Sequence, residues 1–320
     1  MCSMARLVLT RLGAFLLTLF AASAVLFLAI NVIPGSAARS ALGIDATPQA
    51  IARFEATRGL DRPLVVQYID WLGQTLQGDL GTSFQSAVPV GPELLLRLPV
   101  TLELAFLAFL IANLIAFPLG TIAAARHRRG ADRVFSTLAS FLGAMPNFWL
   151  ATLLVMVFSI KLRWLPPGGF IPFSEDSVQN LKLMIMPALS LGLVSSALLL
   201  RIMRASMLEV LSRDYIRTAK AKGASEVLTI KRHGLRNAAI PYFNVAAVEL
   251  GFLFGSVVVI EDIFQLPGIG SLVLVGIINR DYPVLLAAAL AITVFVLLAN
   301  LAVDLCVALL DPRRSKGSQA

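Results

Sequence analysis

The chain has 320 residues, 58% of them hydrophobic and 14% charged, with a mean hydropathy of +0.81 and a formal net charge of +8. Soluble domains are about half apolar and about a quarter charged, so this composition excludes a water-soluble fold and points to an integral membrane protein. The basic residues fall on alternate loops, which removes nucleic acid as the default reason for the positive balance.

A helix needs roughly 20 mostly apolar residues to cross the hydrocarbon core of a bilayer. Six stretches meet that need: Leu12–Ile33, Val100–Ala125, Phe135–Ile160, Leu183–Met203, Tyr242–Ile260 and Val284–Leu310. The expected fold class is therefore all-α and polytopic, with six transmembrane helices. Runs this long do not fit barrel strands, which alternate over about ten residues. Cys2 and Cys306 stand near opposite ends of the chain, an arrangement that argues against a disulfide framework or a cysteine metal site.

The first span follows Arg6 and Arg11 and contains Ala22-Ser-Ala24, a cleavage-like pattern. Its apolar run continues through Leu26-Phe-Leu-Ala-Ile30, longer than a signal-peptide core, and residues 1–33 read as an uncleaved anchor. Residues 34–98 form a long loop. Within it Asp61-Arg62-Pro63 signals a helix start and Gly78 a stop, while Leu64, Val65, Tyr68, Ile69, Leu72 and Leu76 follow helical spacing. An amphipathic helix is expected there, lying on the membrane surface or on the chain's own spans.

The remaining five spans form a core over residues 99–310, ahead of a tail at 311–320. In the third span Gly143-Ala-Met-Pro146 interrupts the helical run and should bend it. The fourth span carries Pro187, Gly192, Ser195 and Ser196, small or polar groups that suit close helix packing. Glu103, Glu249 and Asp304 fall inside spans, each expected near a span end, and Asn113 lies deeper. Ionisable groups inside a membrane are functional candidates by default. Asn113, Met145, Asn147, Ser195 and Glu249 are accordingly the candidate residues of a translocation path, each also explicable as a packing feature.

With six spans, both termini share a side. That side holds 18 of the 27 basic residues, among them Arg126, Arg128, Arg129, Arg133, Arg201, Arg204, Lys231, Arg232 and Arg236. Basic loops stay in the cytoplasm, so both termini are expected there. The segment 204–236 is then the long cytoplasmic loop. Asp214 reads as an N-cap and Gly223 as a C-terminal stop, enclosing a helix of about two turns, near 12 Å. Ser225 caps a second helix running toward Pro241. On the short helix Ala219 and Gly223 share a face that Thr218 and Ala221 widen, while Arg217, Lys220 and Lys222 ring its edge.

Asp214-Tyr-Ile-Arg-Thr-Ala-Lys-Ala-Lys-Gly223, followed by His233-Gly-Leu-Arg-Asn-Ala238, resembles the "EAA" loop of ATP-binding-cassette importer permeases. Arg217 and Thr218 depart from the Glu and first Ala of that pattern, whereas Ala219, Gly223 and Leu235 agree with it. His233 and Arg236 stand at its Ile and Pro positions. The departures are those of the dipeptide and oligopeptide branch. Leu60-Asp-Arg-Pro-Leu64, Gly78-Asp-Leu-Gly-Thr-Ser83, Met145-Pro-Asn-Phe-Trp149, Phe264-Gln-Leu-Pro-Gly-Ile-Gly270 and Arg280-Asp-Tyr-Pro283 extend the likeness over nearly the whole chain. It is similar to the B-type permease subunit of those importers.

That resemblance implies a type I importer permease fold in the bacterial cytoplasmic (inner) membrane and a non-catalytic subunit. Asp214, Tyr215, Arg217, Thr218, Ala219, Ala221, Lys222 and Gly223 would form a coupling helix that docks on an ATPase. It further implies a second, C-type permease subunit, two ATPase domains that bind ATP and Mg, and an extracytoplasmic substrate-binding protein, besides membrane lipid. No G-x-x-x-x-G-K-[ST] sequence occurs, and no cofactor or metal is expected in this chain. His127 and His233 belong to no H-E-x-x-H, and Gly81-Thr-Ser83-Phe84 lies outside the spans, so the residues give no enzyme site. Two other readings remain at this stage: a permease for nickel, glutathione or haem in the same family, and an ion-coupled carrier.

Overall fold

The computed structural model describes residues 2–32, 35–43 and 45–310; the tail 311–320 and the side chains of residues 2–9, of Lys220 and Glu226 and of residues 303–310, Asp304 among them, lie outside the described residues. Among the described residues thirteen helices follow one another. They are α1 (Cys2–Val32), α2 (Ala37–Leu42), α3 (Pro48–Arg58), α4 (Leu64–Leu76), α5 (Val90–Ala125), α6 (Gly130–Ala144), α7 (Asn147–Leu154), α8 (Ser177–Leu211), α9 (Asp214–Ala221), α10 (Glu226–Thr229), α11 (Arg236–Ile263), α12 (Ile269–Asn279) and α13 (Tyr282–Leu310). Two π-helical stretches continue this chain of helices, Val155–Lys161 after α7 and Ile230–Leu235 between α10 and α11. Among the described residues the extended structure is a single bridge between Thr82 and Pro89.

Among the described residues five helical runs are long and apolar enough to cross a membrane: Thr10–Val32, Val90–Ala125, Ser177–Leu211, Val227–Ile263 and Tyr282–Ala302. The sixth expected span is not straight. Gly130–Ala144 and Asn147–Lys161 meet at 99°, because Pro146 forces Met145 out of the helical region to φ −84°, ψ 131°. Ion pairing sets how far this bent pair and the loop after it must reach. Asp132, in the first turn of α6, bonds Arg204 near the end of α8. The start of α8 at Ser177 lies 27 residues earlier, about 40 Å away along the helix. The chain between Gly130 and Ser177 must cover that distance.

The central contact is between α5 and α8, which run side by side in the same direction. Gly120 and Gly192 let the two backbones meet. A Cβ on Gly120 would sit 2.7 Å from Met203 Cβ, and one on Gly192 would sit 2.8 Å from the Ala108 carbonyl oxygen. Small residues at such crossings are how membrane helices gain packing without a hydrophobic driving force between them. Around this seam Leu104, Ala108, Leu191, Leu253 and Val257 fill one half of the core, and Ala112, Ala116, Leu199, Met203, Tyr242 and Ala246 the other.

At the end away from α9, buried polar groups fasten the short helices. The Glu261 carboxylate is fully buried, accepting from Thr101 Oγ1 at 2.6 Å and from the Ser271 amide at 2.9 Å, while Thr101 Oγ1 accepts from the Ile269 amide at 2.8 Å. These bonds satisfy the first amides of α12, whose cap, Gly268, has no side chain to do so. Replacing Glu261 with alanine is expected to orphan the Ser271 amide, at about 1–3 kcal/mol for the unsatisfied group, while the Ile269 amide keeps its Thr101 acceptor. Glu261→Gln, which keeps one acceptor oxygen, should cost less. Thermal unfolding of the purified protein in detergent ranks the two; equal midpoints for wild type and Glu261→Ala would discard this account of α12.

The long loop is closed by a second buried acid, Asp281, which accepts from Ser83 Oγ at 2.5 Å and from the Phe84 amide at 3.0 Å. The expected amphipathic helix is α4, running over Leu64–Leu76. Tyr68 OH and Ser23 Oγ lie 2.9 Å apart and the Phe27 and Trp71 rings 5.8 Å apart, so α4 packs on α1.

Candidate functional site

Helix α8 continues to Leu211, so the loop expected from Arg204 is shorter and Arg204 lies in a helix. The helix persists because Arg204 has a partner: its Nε and Nη2 donate to Asp132 at 2.5 and 2.9 Å, and Asp132 also accepts from the Arg128 amide at 2.9 Å. His127 Nδ1 lies 3.1 Å from the same carboxylate. Asp132 is only 4% exposed. This cluster ties the α5–α6 turn to the last turns of α8, immediately before α9. In the sequence Arg128 and Arg204 stand out only as basic residues of one side, since a pairing across 72 positions leaves no local signal.

Helix α9 spans Asp214–Ala221. Asp214 is its first residue rather than its N-cap. The Arg213 carbonyl takes the Ile216 amide at 3.0 Å, and the Asp214 side chain is 96% exposed, 3.8 Å from Arg217 Nη1. The C-terminus ends as the sequence suggested. Gly223 has φ +86°, the Ala224 amide donates to the Ala219 carbonyl at 3.2 Å and the Lys222 amide to Thr218 at 3.1 Å. This left-handed closure favours glycine. The small-residue face differs from expectation. Ile216 is fully buried and Ala219, three residues on, is half-buried with it, while Tyr215, Arg217, Thr218, Ala221, Lys222 and Gly223 are exposed. Ala219 and Gly223 therefore do not form one open face; the free surface runs from Tyr215 through Thr218 to Ala221, Lys222 and Gly223.

Two connections join α9 to the spans. Asn237 Nδ2 donates to Tyr215 OH at 3.2 Å and to the His233 carbonyl at 2.9 Å. Ser225 caps α10, its Oγ accepting from the Leu228 amide at 3.3 Å, and the helical run then continues unbroken from Val227 to Ile263. The π-helical turn at Ile230–Leu235 lies against α8, where a Cβ on Gly234 would come within 3.0 Å of Met207 Cε.

The candidate path residues are dispersed. The amide of Asn113 is occupied, accepting from Tyr242 OH at 2.8 Å and donating to the Phe109 carbonyl at 2.8 Å. Ser195 is 5% exposed, packed inside the bundle. Met145 and Asn147 flank the break in the third span, both half-buried, and Asn147 Oδ1 is a buried acceptor without a partner among the described residues. Glu249 was expected at a span end. The continuous run to Ile263 places it 14 residues, about 21 Å, from the end away from α9. It is half-exposed beside Val248 and Phe252, which are open, and its carboxylate has no partner among the described residues. Among the described residues no group of three or more His, Cys, Asp or Glu side chains is placed to hold a metal ion.

The chain is similar to known proteins over most of its length. Residues 116–316 match the family described as binding-protein-dependent transport system inner membrane component, and residues 4–105 match the N-terminal region of such membrane components. The glutathione transport system permease protein of Salmonella choleraesuis is 39% identical over 305 residues, covering 95% of this chain and 97% of that protein. A Brucella abortus protein described as a peptide transport system permease is 37% identical over 310 residues, covering 97% of this chain and 99% of its own length. Among solved structures, an inward-facing form of the MetNI methionine ABC transporter matches with a TM-score of 0.56 at 19% identity. It covers 68% of this chain and 96% of the matched chain, a likeness of fold.

Proposed function

The chain belongs to the family of binding-protein-dependent transport system inner membrane components, and from that premise we propose that it forms half of the translocation path of an ATP-driven importer of short peptides. It is a multi-pass protein of the bacterial inner membrane and a permease subunit of an ABC importer. In the proposed orientation α9 faces the cytoplasm and docks in a cleft on an ATPase subunit through Tyr215, Thr218, Ala221, Lys222 and Gly223, with Asp214 and Arg217 at its edge. ATP and Mg are held by two such ATPase domains. A second, C-type permease supplies the other half of the path, and a binding protein delivers substrate to the side carrying α2–α4 and α12.

The join between α9 and α11 carries this reading. A ligand shifts a conformational equilibrium only through contacts that differ between states. ATP closure of the ATPase pair would move α9, and Asn237 with the helical run 227–263 would pass that movement to the path wall. Proteoliposomes holding the chain with its co-expressed permease and ATPases should take up short peptides only with ATP and the binding protein. Uptake driven by an ion gradient without the ATPases would replace this reading with that of an ion-coupled carrier. The 39% identity to a glutathione permease favours glutathione as a second substrate; competition between it and a dipeptide for uptake separates the two.

Glu249 supplies the proposed contact along the path. An unpaired carboxylate at mid-membrane attracts a cation, and the amino group of a peptide is one. A hydrogen bond to a charged group contributes about 1.5–3 kcal/mol. Glu249→Gln is therefore expected to raise the half-saturating peptide concentration at least about tenfold while leaving binding-protein-stimulated ATP hydrolysis in place. Unaltered uptake kinetics in this variant would remove Glu249 from the path.

A further inference from the structure

Arg201 lies on α8, inside the membrane-spanning run Ser177–Leu211. It is exposed, and among the described residues it makes no hydrogen bond, ion pair or ring contact. Its neighbour Arg204 differs in both respects, being half-buried and held by Asp132.

The direction of the guanidinium decides what Arg201 can do. Helical side chains lean toward the N-terminus of their own helix, which for α8 is the end away from α9. A Cβ on Gly143 would lie 3.3 Å from Arg201 Nη2 and 3.3 Å from Ala197 Cβ. The guanidinium therefore reaches back about one turn, to the level of Ala197. Ala197 stands seven residues, about 10 Å, before Arg204 and its bond to Asp132. Arg201 thus carries its charge into the span, away from that pair and from α9. An unpartnered cation there is costly against lipid; such groups face a water-filled cavity and mark the route of a substrate.

A second charge stands across the break in the third span. Gly143, beside Arg201, is followed four residues later by Asn147, where α7 begins. Helix α7 packs on both α8 and α11, in the buried cluster that holds Ala151, Leu191 and Leu253. Glu249, whose carboxylate has no partner among the described residues, precedes Leu253 by one turn on α11. The break runs between the helix that carries Arg201 and the helix that carries Glu249.

Two contacts set the spacing of these charges. Gly120 of α5 meets Met203 of α8, and Asn113, seven residues earlier on α5, accepts from Tyr242 of α11 at 2.8 Å. Because α5 and α8 run in the same direction, Tyr242 stands about level with Ser196 and Ala197, where the guanidinium rests. Glu249 is seven residues farther along α11, about 10 Å. An extended chain covers about 3.3–3.6 Å per residue, so the two charges are separated along the spans by about the length of a tripeptide.

We infer that Arg201 is a specificity-determining residue of the translocation path: its guanidinium takes the C-terminal carboxylate of the peptide whose amino group lies toward Glu249. A planar fork of donors matches a carboxylate in two parallel bonds. The inference rests on the peptide-import reading given above and adds the second end of the substrate to it.

The test uses the complete complex in proteoliposomes, with a tripeptide and the same tripeptide as its C-terminal amide. Uptake of each is divided by its occupancy of the binding protein, which removes that protein's own preference. Wild type should take up the free acid at least about tenfold better than the amide. Arg201→Gln should bring the two within about twofold, and Arg201→Lys, a cation without the fork, should keep part of the preference. Arg201→Met retains an apolar stem against Gly143 and serves if Arg201→Gln does not fold. Neither neutral variant should lower the unfolding midpoint, since no partner is left uncompensated. Equal uptake of acid and amide by wild type, or full preference for the acid in a folded neutral variant, would overturn the assignment. A midpoint lowered as far as in Asp132→Ala would also overturn it and make Arg201 a structural residue. Glu249 is judged separately. Unaltered kinetics in Glu249→Gln with a collapsed preference in Arg201→Gln would remove Glu249 alone, and the reverse result would remove Arg201 alone. Uptake driven by an ion gradient without the ATPases bears on the importer reading and leaves the acid–amide comparison intact.

Discussion

Gly223→Asp should reach the membrane in normal amount, yet lose peptide uptake by at least about tenfold and fail to co-purify with the ATPase. The structure separates the two effects. Among the described residues nothing lies within 4 Å of a Cβ placed on Gly223, so the substitution disturbs no packing seen there. Its local cost is the left-handed backbone, φ +86°, at about 1–2 kcal/mol for an L-residue, and less for the short polar aspartate. That is small against the stability of a folded domain, about 5–15 kcal/mol. What remains is the surface. Aspartate adds a side chain and a negative charge at the end of α9, beside Lys222, where the proposed ATPase subunit would approach. Gly223→Asn adds equal bulk without charge and tolerates the same backbone. It should therefore keep a measurable part of the coupling. Normal uptake by Gly223→Asp would end the role of α9 as the coupling element.

The largest loss of stability is expected from Asp132→Ala. Asp132 is almost fully buried and holds Arg204 through two bonds, the Arg128 amide through a third and His127 beside them. Removing one partner of a buried pair leaves the other charge uncompensated, at about 3–5 kcal/mol. The Arg204 side chain is 27% exposed, so water recovers part of that, and the lower end, about 3 kcal/mol, is the expectation. Accumulation in the membrane should fall and the unfolding midpoint should drop by several degrees. Asp132→Asn keeps an acceptor and should lose less. Arg204→Lys keeps the charge but not the two-pronged geometry and should fall between them. An unchanged midpoint in Asp132→Ala would mean that the cluster does not brace the end of α8 before α9.

Local chemistry in the sequence determined the apolar runs, hence the membrane and the helices. It also determined α4 from its start and stop residues, the bend at Pro146, the glycine closure of α9 and the Ser225 cap. Each of these is settled within about four residues, the reach of a helical turn, so a single strand of sequence carries it. The tertiary structure decided the rest. It joined Asp132 to Arg204, and it brought Glu261 to Thr101 and to the first amides of α12. It turned Ala219 inward beside Ile216, away from the open face of α9. By running a helix unbroken through Pro241, it placed Glu249 14 residues before the end of that helix, inside the run and not at its edge. These outcomes depend on which helices lie side by side and at what height. Close packing sets that geometry between residues separated by tens to hundreds of positions, where no spacing rule operates.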